Sequence, residues 1–237
     1  MSQTRAQERA DASRKSTRRL IVILAICVVV ALLVLVAGIV LTKSSSDTAA
    51  ETRVLGSIAA SRVSALVSFS LGINWLFSPP IAVVVGVISA VIVFIVTRRW
   101  LTVLHFALLV LGTWLSSEVI KVIVHRPRPE GHVADALVPN PDPDSYPSGH
   151  VCFAVGLGFA VLILVLHTRA RVVVAVLAIL LALVTSFSRI YLAIHFPTDI
   201  AASLVFSAAA FIAIETLWRR IVGTRAAAPA QVEPAAG

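Results

Sequence analysis

Charged residues are scarce in this sequence, and their scarcity excludes one broad class of protein. They make up 14% of the 237 residues, while hydrophobic residues make up 58%. An ordinary soluble domain carries about 25% charged residues. The composition therefore excludes a typical soluble globular protein and predicts a chain that spends most of its length in a membrane.

Cysteine is nearly absent as well. The two cysteines, Cys27 and Cys152, both lie within or at the edge of an apolar run, where we expect small buried side chains and not a disulfide or a ligand. Neither a CxxC nor an HExxH spacing occurs in the sequence. We therefore predict no metal site and no cofactor.

The charges that are present are mostly positive. The formal net charge is +8, with 20 Lys and Arg against 12 Asp and Glu. Such an excess can indicate nucleic acid binding, but here the basic residues form short clusters between apolar runs and not one continuous face. Clusters at those places are typical of topology signals and of contacts with anionic lipid headgroups. We therefore expect a bilayer as partner and no nucleic acid.

Long apolar runs dominate the rest of the chain. They lie at residues 20–42, 81–96, 101–120, 151–166, 172–187 and 200–218. Because a straight transmembrane helix needs about 20 residues, these runs, extended slightly at their ends, predict an all-α membrane protein with six transmembrane helices. The first run is longer than the apolar core of a signal peptide, about 7–15 residues, so we expect a retained anchor and not a cleaved signal.

The basic residues also predict the orientation. Most of them cluster in the N-terminal segment, in the second and fourth connections between runs, and after the last run. Because positive residues favour the cytoplasmic side, we predict a multi-pass protein of the cell membrane with both termini in the cytoplasm. The expected parts are a disordered basic tail (1–19), a first transmembrane helix (20–42), an extracytoplasmic segment (43–80), a core of five transmembrane helices (81–218) and a disordered cytoplasmic tail (219–237).

The extracytoplasmic segment carries a helical pattern of its own. Serines recur at steps of three and four residues between positions 57 and 68 of an otherwise apolar stretch. Trp75 follows, and Pro79 and Pro80 end the stretch. We predict one interfacial or re-entrant helix over residues 54–77 with Trp75 at headgroup depth. A plain loop is the alternative.

Three polar motifs interrupt the apolar pattern, and the first one, Lys121-Val-Ile-Val-His-Arg-Pro-Arg-Pro129, ends a helix. Its prolines cannot continue a helix and disfavour the helical conformation of the residues before them. Lys121, Arg126 and Arg128 therefore emerge where the third run leaves the bilayer. Basic residues at a span end are often anchors in the headgroup layer, but three cluster here on the side that is otherwise poor in positive charge. Arginine and lysine are well suited to bind phosphate oxygens.

The second motif, Tyr146-Pro-Ser-Gly-His150, begins a helix. Ser148 is a good N-cap residue, and Gly149 allows a ligand to approach the backbone closely. The first backbone N–H groups of the helix and the helix dipole together form an anion site. His150 stands beside this site, where a histidine can donate a proton to a leaving oxygen.

The third motif runs from Ser188-Arg189 to His195 and Asp199, and its Pro197 fits the first turn of the last helix. Asp199 follows His195 by four residues, a spacing at which its carboxylate can hold one ring nitrogen. The other ring nitrogen is then free to act as a nucleophile. Together the three motifs predict a phosphate-handling site on the extracytoplasmic surface of the membrane.

These motifs resemble those of the type 2 phosphatidic acid phosphatase and vanadium haloperoxidase superfamily in order and in spacing. The matching pattern is Lys121-x6-Arg128-Pro129, then Pro147-Ser148-Gly149-His150, then Ser188-Arg189-x5-His195-x3-Asp199. The resemblance covers about residues 81–218. It implies a helical-bundle catalytic core and a metal-independent lipid phosphatase activity.

The resemblance also implies a role for each motif residue. His195 would attack phosphorus and carry a phosphohistidine, Asp199 would orient it, and His150 would protonate the leaving group and then activate water. The phosphate oxygens would be held by Lys121, Arg128, Ser148, the Gly149 backbone and Arg189. Arg126 lies outside the strict motif, and we expect it to contact lipid headgroups.

The expected substrate is phosphatidate, phosphatidylglycerophosphate, or a polyprenyl phosphate or diphosphate, and the sequence does not choose among them. Two alternatives stay open: vanadate-dependent halide oxidation, and binding or transport of lipid phosphates without catalysis. The membrane spans disfavour the first, because the haloperoxidase branch is soluble. The group His150, His195 and Asp199 disfavours the second, because binding alone does not require it. No pattern indicates the oligomeric state.

Overall fold

The computed structural model describes residues 2–129, 136–138 and 142–227 of the chain. These residues form eight α-helices, numbered here in chain order: α1 Ser2–Lys43, α2 Ser45–Ala60, α3 Ser64–Leu76, α4 Pro79–Thr97, α5 Trp100–Val124, α6 Gly149–Val165, α7 Arg171–Tyr191 and α8 Pro197–Ala227. The β-structure found in this part of the chain is one isolated antiparallel bridge between Pro127 and Asp144. The predicted all-helical fold is confirmed.

Five of the described helices, α1, α4, α5, α7 and α8, are long and apolar enough to cross a membrane. The fourth predicted span corresponds to α6, which is apolar but has only 17 residues. A bilayer core is about 30 Å thick, and a helix rises about 1.5 Å per residue. A multi-pass membrane protein is therefore confirmed, while the count of six spans stays a prediction that depends on α6.

The central element of the bundle is α6, which packs against α5, α7 and α8. It is apolar on every side, and a helix of that kind is stable only when other elements surround it. Its residues Val151, Cys152 and Ala154 are fully buried. Cys152 and Cys27 are both free thiols in buried positions, as the sequence predicted.

The outer faces of the bundle carry large apolar side chains. Leu33 on α1, Val96 on α4 and Val172 on α7 are each more than 60% exposed. Continuous exposed apolar surface of this kind is typical of a membrane-facing protein. The apolar runs thus face the lipid on the outside of the bundle and pack around α6 on the inside.

The second motif is anchored to the first helix through Tyr146. Its hydroxyl donates a 2.6 Å hydrogen bond to the backbone carbonyl of Val34, and its ring lies against Gly38. A Cβ at position 38 would lie 2.5 Å from the ring, so the close approach requires glycine. The helix α1 also packs along α8 and therefore holds two parts of the site in register.

The two terminal segments differ from the prediction of disordered tails. The first helix begins at Ser2, and the last helix continues to Ala227. Residues 2–19 include three Ala and five Arg, residues of high helix propensity, which is consistent with a helix that continues beyond the apolar run. Residues 228–237 of the predicted C-terminal tail lie outside the described residues.

The segment 43–80 also differs from its prediction, because it forms two helices and not one. The break between α2 and α3 falls at Ser61–Val63, in the middle of the serine stripe. Tyr191 fixes the break from outside: its carbonyl accepts from Arg62 Nε (3.0 Å) and its hydroxyl accepts from the Val63 N–H (2.7 Å). Periodicity within the stripe carries no information about this long-range contact.

Candidate active site

The first motif begins in the last turn of α5, where Lys121 is buried. The helix ends at Val124, before the two prolines, and the chain turns back so that the Ser145 N–H donates to the Arg126 carbonyl over 2.7 Å. Two carboxylates contact the Lys121 ammonium: Glu118 Oε2 at 3.0 Å and Asp142 Oδ2 at 2.8 Å. The turn therefore places a cation and two acidic partners at one end of the bundle.

Arg128 links this turn to the third motif. Its Nε donates to the Asp142 carbonyl (2.7 Å), and its Nη1 donates both to the Ile194 carbonyl (2.8 Å) and to His195 Nε2 (3.0 Å). A guanidinium has no acceptor, so Nε2 of His195 must be the acceptor of this bond. The proton of the neutral ring then lies on Nδ1, and the lone pair lies on Nε2, where it accepts from Arg128.

The second motif places Ser148 at the N-cap position of α6. Its hydroxyl does not bond to the helix, however, and among the described residues it has no hydrogen-bond partner. The Ser148 N–H instead donates to Ser203 Oγ at 2.7 Å. The N-cap location was predicted correctly, while the predicted capping hydrogen bond is not formed. The hydroxyl is therefore free to donate to a ligand.

Gly149 and His150 begin α6 beside α5. A Cβ at Gly149 would lie 2.6 Å from Glu118 Oε1 and 3.2 Å from Trp114 Nε1, so this helix end lies close against α5 and a larger residue would displace the Glu118 side chain. The Nε2 atom of His150 is buried and, in the described part of the chain, has no hydrogen-bond partner. A ring nitrogen in that state can exchange a proton with a bound molecule.

The third motif spans the end of α7, a short turn and the start of α8. Arg189 is fully buried, and its Nη2 donates to Asn74 Oδ1 at 2.6 Å. Its Nε and Nη1 have no partner within the residues described. His195 lies in the turn, and Asp199 Oδ2 is 3.5 Å from its Nδ1. Pro197 begins α8, as its position in the motif indicated.

The electrostatic environment of His195 favours the neutral ring. Burial, followed by the positive charges of Arg128, Arg189 and Lys121, holds the pKa of His195 well below its usual value. Burial also lowers the pKa of Arg128, although the negative charge of Asp142 opposes this effect. The site thus combines a neutral imidazole with three side chains that carry positive charge.

A cavity of about 480 Å³ opens onto His195, Lys121 and Arg128, while Arg189 and Ser148 lie buried outside its lining. Its polar lining includes Lys121, Arg128, His150 and His195, together with Glu118 and Asp142. Phe77, Pro79, Pro80 and Trp114 provide an apolar wall. The cavity therefore offers donors for an anion on one side and an apolar surface for the rest of an amphipathic molecule on the other.

Three residues at this site, Glu51, Asn74 and Glu118, were not identified from the sequence as parts of it, and the contacts of Arg126 and Asp142 were not predicted. The expectation that Arg126 contacts lipid headgroups is wrong. Its side chain is 1% exposed and ion-pairs with Asp199 Oδ1 and Glu51 Oε2, both at 2.6 Å. A guanidinium can satisfy two carboxylates at once, so its charge is paired in this buried position.

The fold and the site together define a class of protein: a polytopic helical membrane protein with a buried, cation-rich histidine site at one end of the bundle. Comparison with protein families narrows this class. The model of the PAP2 superfamily matches residues 100–222, just over half of the chain. The protein belongs to the PAP2 superfamily, and the family resemblance drawn from its motifs is confirmed.

A solved structure has the same fold. It is the crystal structure of a transmembrane PAP2-type phosphatidylglycerolphosphate phosphatase from Bacillus subtilis, which aligns with a TM-score of 0.70 at 22% identity. The alignment covers 82% of this chain and 96% of that chain. None of the curated protein sequences compared matches this chain.

Proposed function

We propose that this protein hydrolyses the phosphate ester or diphosphate of a membrane lipid through a phosphohistidine at His195. One observation carries the proposal: Arg128 Nη1 lies 3.0 Å from His195 Nε2 while Asp199 Oδ2 lies 3.5 Å from Nδ1. This arrangement favours one tautomer, in which Nε2 carries the lone pair. A nucleophile oriented by a carboxylate beside phosphate-binding cations is the arrangement that covalent phosphoryl transfer requires.

In the first step, Arg128 Nη1 turns from the His195 lone pair to a phosphoryl oxygen, Nε2 of His195 attacks phosphorus, and the bond from phosphorus to the leaving oxygen breaks. The negative charge of the bound phosphate favours the protonated form of His150, which gives its Nε2 proton to the leaving oxygen. The negative charge of the phosphoryl oxygens is stabilised by Lys121, Arg128 and Arg189, with the Ser148 hydroxyl and the Gly149 N–H as further donors. Asp199 balances the positive charge that develops on the His195 ring.

In the second step, water attacks phosphorus and the bond from phosphorus to Nε2 breaks. His150, now neutral, accepts a proton from the water and returns to its starting state. Inorganic phosphate leaves, and His195 is again neutral. The same histidine therefore acts first as general acid and then as general base, so one proton is donated and one is recovered in each cycle.

The proposed reaction requires no metal ion. Within the described residues, no group of three or more His, Cys, Asp or Glu side chains is placed to hold one. The positive charge that a metal would supply to phosphoryl oxygens is present on Lys121, Arg128 and Arg189. We therefore expect turnover to survive a chelator.

Phosphatidylglycerophosphate is the first substrate to test, because the B. subtilis protein of the same fold is described as a phosphatase of that lipid. Phosphatidate and polyprenyl phosphates or diphosphates are the other candidates. The apolar wall formed by Phe77, Trp114 and the two prolines is compatible with any of these lipids. The charge distribution of the connections supports an extracytoplasmic site and a substrate in the outer leaflet.

The test is phosphate release from this panel by the purified, detergent-solubilised protein in the presence of EDTA, with His195→Ala as the matched control. Turnover of at least one lipid by the natural protein, lost in the control, would support the proposal. Binding of the lipids without release would indicate a non-catalytic protein. Bromide oxidation in the presence of vanadate, without phosphate release, would indicate the haloperoxidase chemistry instead.

A further inference from the structure

A buried arginine connects the third motif to a helix outside the family match. Arg126 lies between Asp199 and Glu51 and contacts one carboxylate with each terminal nitrogen. The Phe196 ring packs against its guanidinium, with the centroid 4.3 Å from Cζ. We call Glu51, Arg126 and Asp199 the carboxylate–arginine cluster. Its arginine and aspartate are fully buried, and Glu51 is only 12% exposed.

Glu51 comes from α2, whereas the family match covers residues 100–222. Besides Arg126, its carboxylate accepts from the Thr198 N–H (2.8 Å) and from the Thr198 hydroxyl (2.9 Å). Thr198 lies in the first turn of α8, where free N–H groups and the helix dipole favour a negative charge. Glu51 is thus fixed by three donors at the start of the helix that carries Asp199.

The charges of this cluster have a consequence for His195. With Arg126 alone, the charge of Asp199 would be neutralised, and the carboxylate would have little effect on the ring behind it. Glu51 supplies a second negative charge, so the cluster as a whole carries one net negative charge. Asp199 Oδ2 also accepts from the Phe196 N–H (2.9 Å), which holds this oxygen on the His195 side.

We propose that Glu51 is a positioning residue for His195, because through Arg126 it maintains the orientation and the net negative charge of Asp199. The inference rests on the proposed function of His195 as nucleophile. Negative charge behind Nδ1 makes the imidazole more basic and stabilises the positive charge of the phosphohistidine. The segment of residues 43–80, which no motif marks, would then contribute directly to the rate of the reaction.

The other charged groups around His195 come from every element packed against it. They are Lys121 on α5, Arg128 in the turn after it, His150 on α6, Arg189 on α7 and Asp199 on α8. Four of these five can be positive, and Asp199 is the carboxylate that lies against the ring itself. Glu118 and Asp142 also line the cavity, but their carboxylates pair with Lys121. Removing the charge of Glu51 therefore acts on the carboxylate nearest to Nδ1 of His195.

The experiment compares Glu51→Gln with Glu51→Asp and with Asp47→Asn. Gln keeps the shape and an acceptor but removes the charge, and Asp keeps the charge on a shorter side chain. Asp47 lies one turn earlier on α2 and its side chain is exposed, so its variant controls for overall charge. For each protein, kcat and KM are measured against pH on the lipid that the natural protein hydrolyses best.

We expect Glu51→Gln to lower kcat about tenfold with little change in KM, and to move the acidic limb of kcat about one pH unit lower. Glu51→Asp and Asp47→Asn should keep the acidic limb of the natural protein. The double variant Glu51→Gln/Arg126→Gln restores one net negative charge, so its acidic limb should return toward the natural position. A purely structural role would not produce this return.

An unchanged acidic limb in Glu51→Gln, or a double variant whose limb moves further away, would overturn the inference. If Glu51→Gln does not fold, the limbs of Glu51→Asp and of the double variant decide, because both keep the net charge and both are predicted to match the natural protein. Inactivity of the natural protein on every lipid tested would instead refute the proposed function, so the two failures are distinguishable.

Discussion

The structure predicts that one acidic side chain competes with the substrate phosphate. Asp142 Oδ2 lies 2.8 Å from Lys121 Nζ and 3.5 Å from Arg128 Nη2, the two cations proposed to bind phosphoryl oxygens. Burial raises the pKa of Asp142, but the hydrogen bonds from Lys121 and the Asp144 N–H and the charges of Lys121 and Arg128 together outweigh this effect and leave the pKa below its usual value. The carboxylate is therefore charged near neutral pH, and an incoming phosphate must displace it.

The size of this effect follows from the exposure of the pair. The Asp142 side chain is 39% exposed, so we take the upper end of the range for a solvent-accessible ion pair, about 1 kcal/mol. This corresponds to about a fivefold change in an equilibrium constant. Asp142→Asn keeps the oxygen that accepts from the Asp144 N–H (3.1 Å), so the loop should keep its local turn. We therefore expect phosphate and vanadate to bind about fivefold more tightly to this variant.

Vanadate binding can be followed by tryptophan fluorescence, because Trp114 lines the cavity, and by inhibition of phosphate release. The matched control is Asp144→Asn, which removes one negative charge from the same loop. The Asp144 carboxylate pairs with His125 at 3.0 Å. The control should bind vanadate like the natural protein. Weaker vanadate binding by Asp142→Asn would refute the reasoning, since it would mean that Asp142 holds the two cations in place and does not compete.

Three further predictions concern the nucleophile and the topology. Burial and three cations keep His195 neutral. The acidic limb of kcat/KM for the free protein should therefore lie below the usual histidine pKa of about 6.5. A limb above that value in a pH–rate profile would contradict the proposed state of the ring. Asp199→Asn should lower kcat by at least about a hundredfold while KM changes little, as steady-state assays would measure, and a loss confined to KM would mean that Asp199 does not orient His195. A cysteine introduced at Ala136 should react with an impermeant thiol reagent in intact cells, and a cysteine introduced at Ala170 should not. The natural cysteines Cys27 and Cys152 should add little background labelling, because both are buried. The opposite pattern would place the site in the cytoplasm.

The residues of the three motifs could be found from the sequence because each motif interrupts an apolar run at a helix end. In an antiparallel bundle the end of α5, the start of α6, the end of α7 and the start of α8 lie on the same side. The motif residues of these four helix ends therefore had to meet. The four-residue spacing predicted that Asp199 holds a ring nitrogen of His195; the two groups are 3.5 Å apart, and among the described residues Nδ1 has no hydrogen-bond partner, so the hydrogen bond stays a prediction.

The contributions of α2 and α3 could not be predicted in the same way. Glu51 is 147 residues from Thr198, and Asn74 is 115 residues from Arg189. Neither residue belongs to a motif. From the sequence alone, a polar residue at a membrane surface is most simply interpreted as an exposed side chain. Arg126 was misinterpreted for the same reason: its local pattern is that of an anchor, and its two carboxylate partners, Glu51 and Asp199, are distant in the sequence.

The central claim is the covalent intermediate, and the most direct measurement is to trap it. The purified protein is mixed briefly with a lipid substrate labelled at phosphorus, quenched in alkali, digested and analysed by mass spectrometry, with His195→Ala treated in parallel. We predict an alkali-stable, acid-labile phosphoryl group on the peptide that contains His195, and none in the variant. Turnover of the substrate without phosphate on His195, or a phosphoryl group on another residue, would contradict the account.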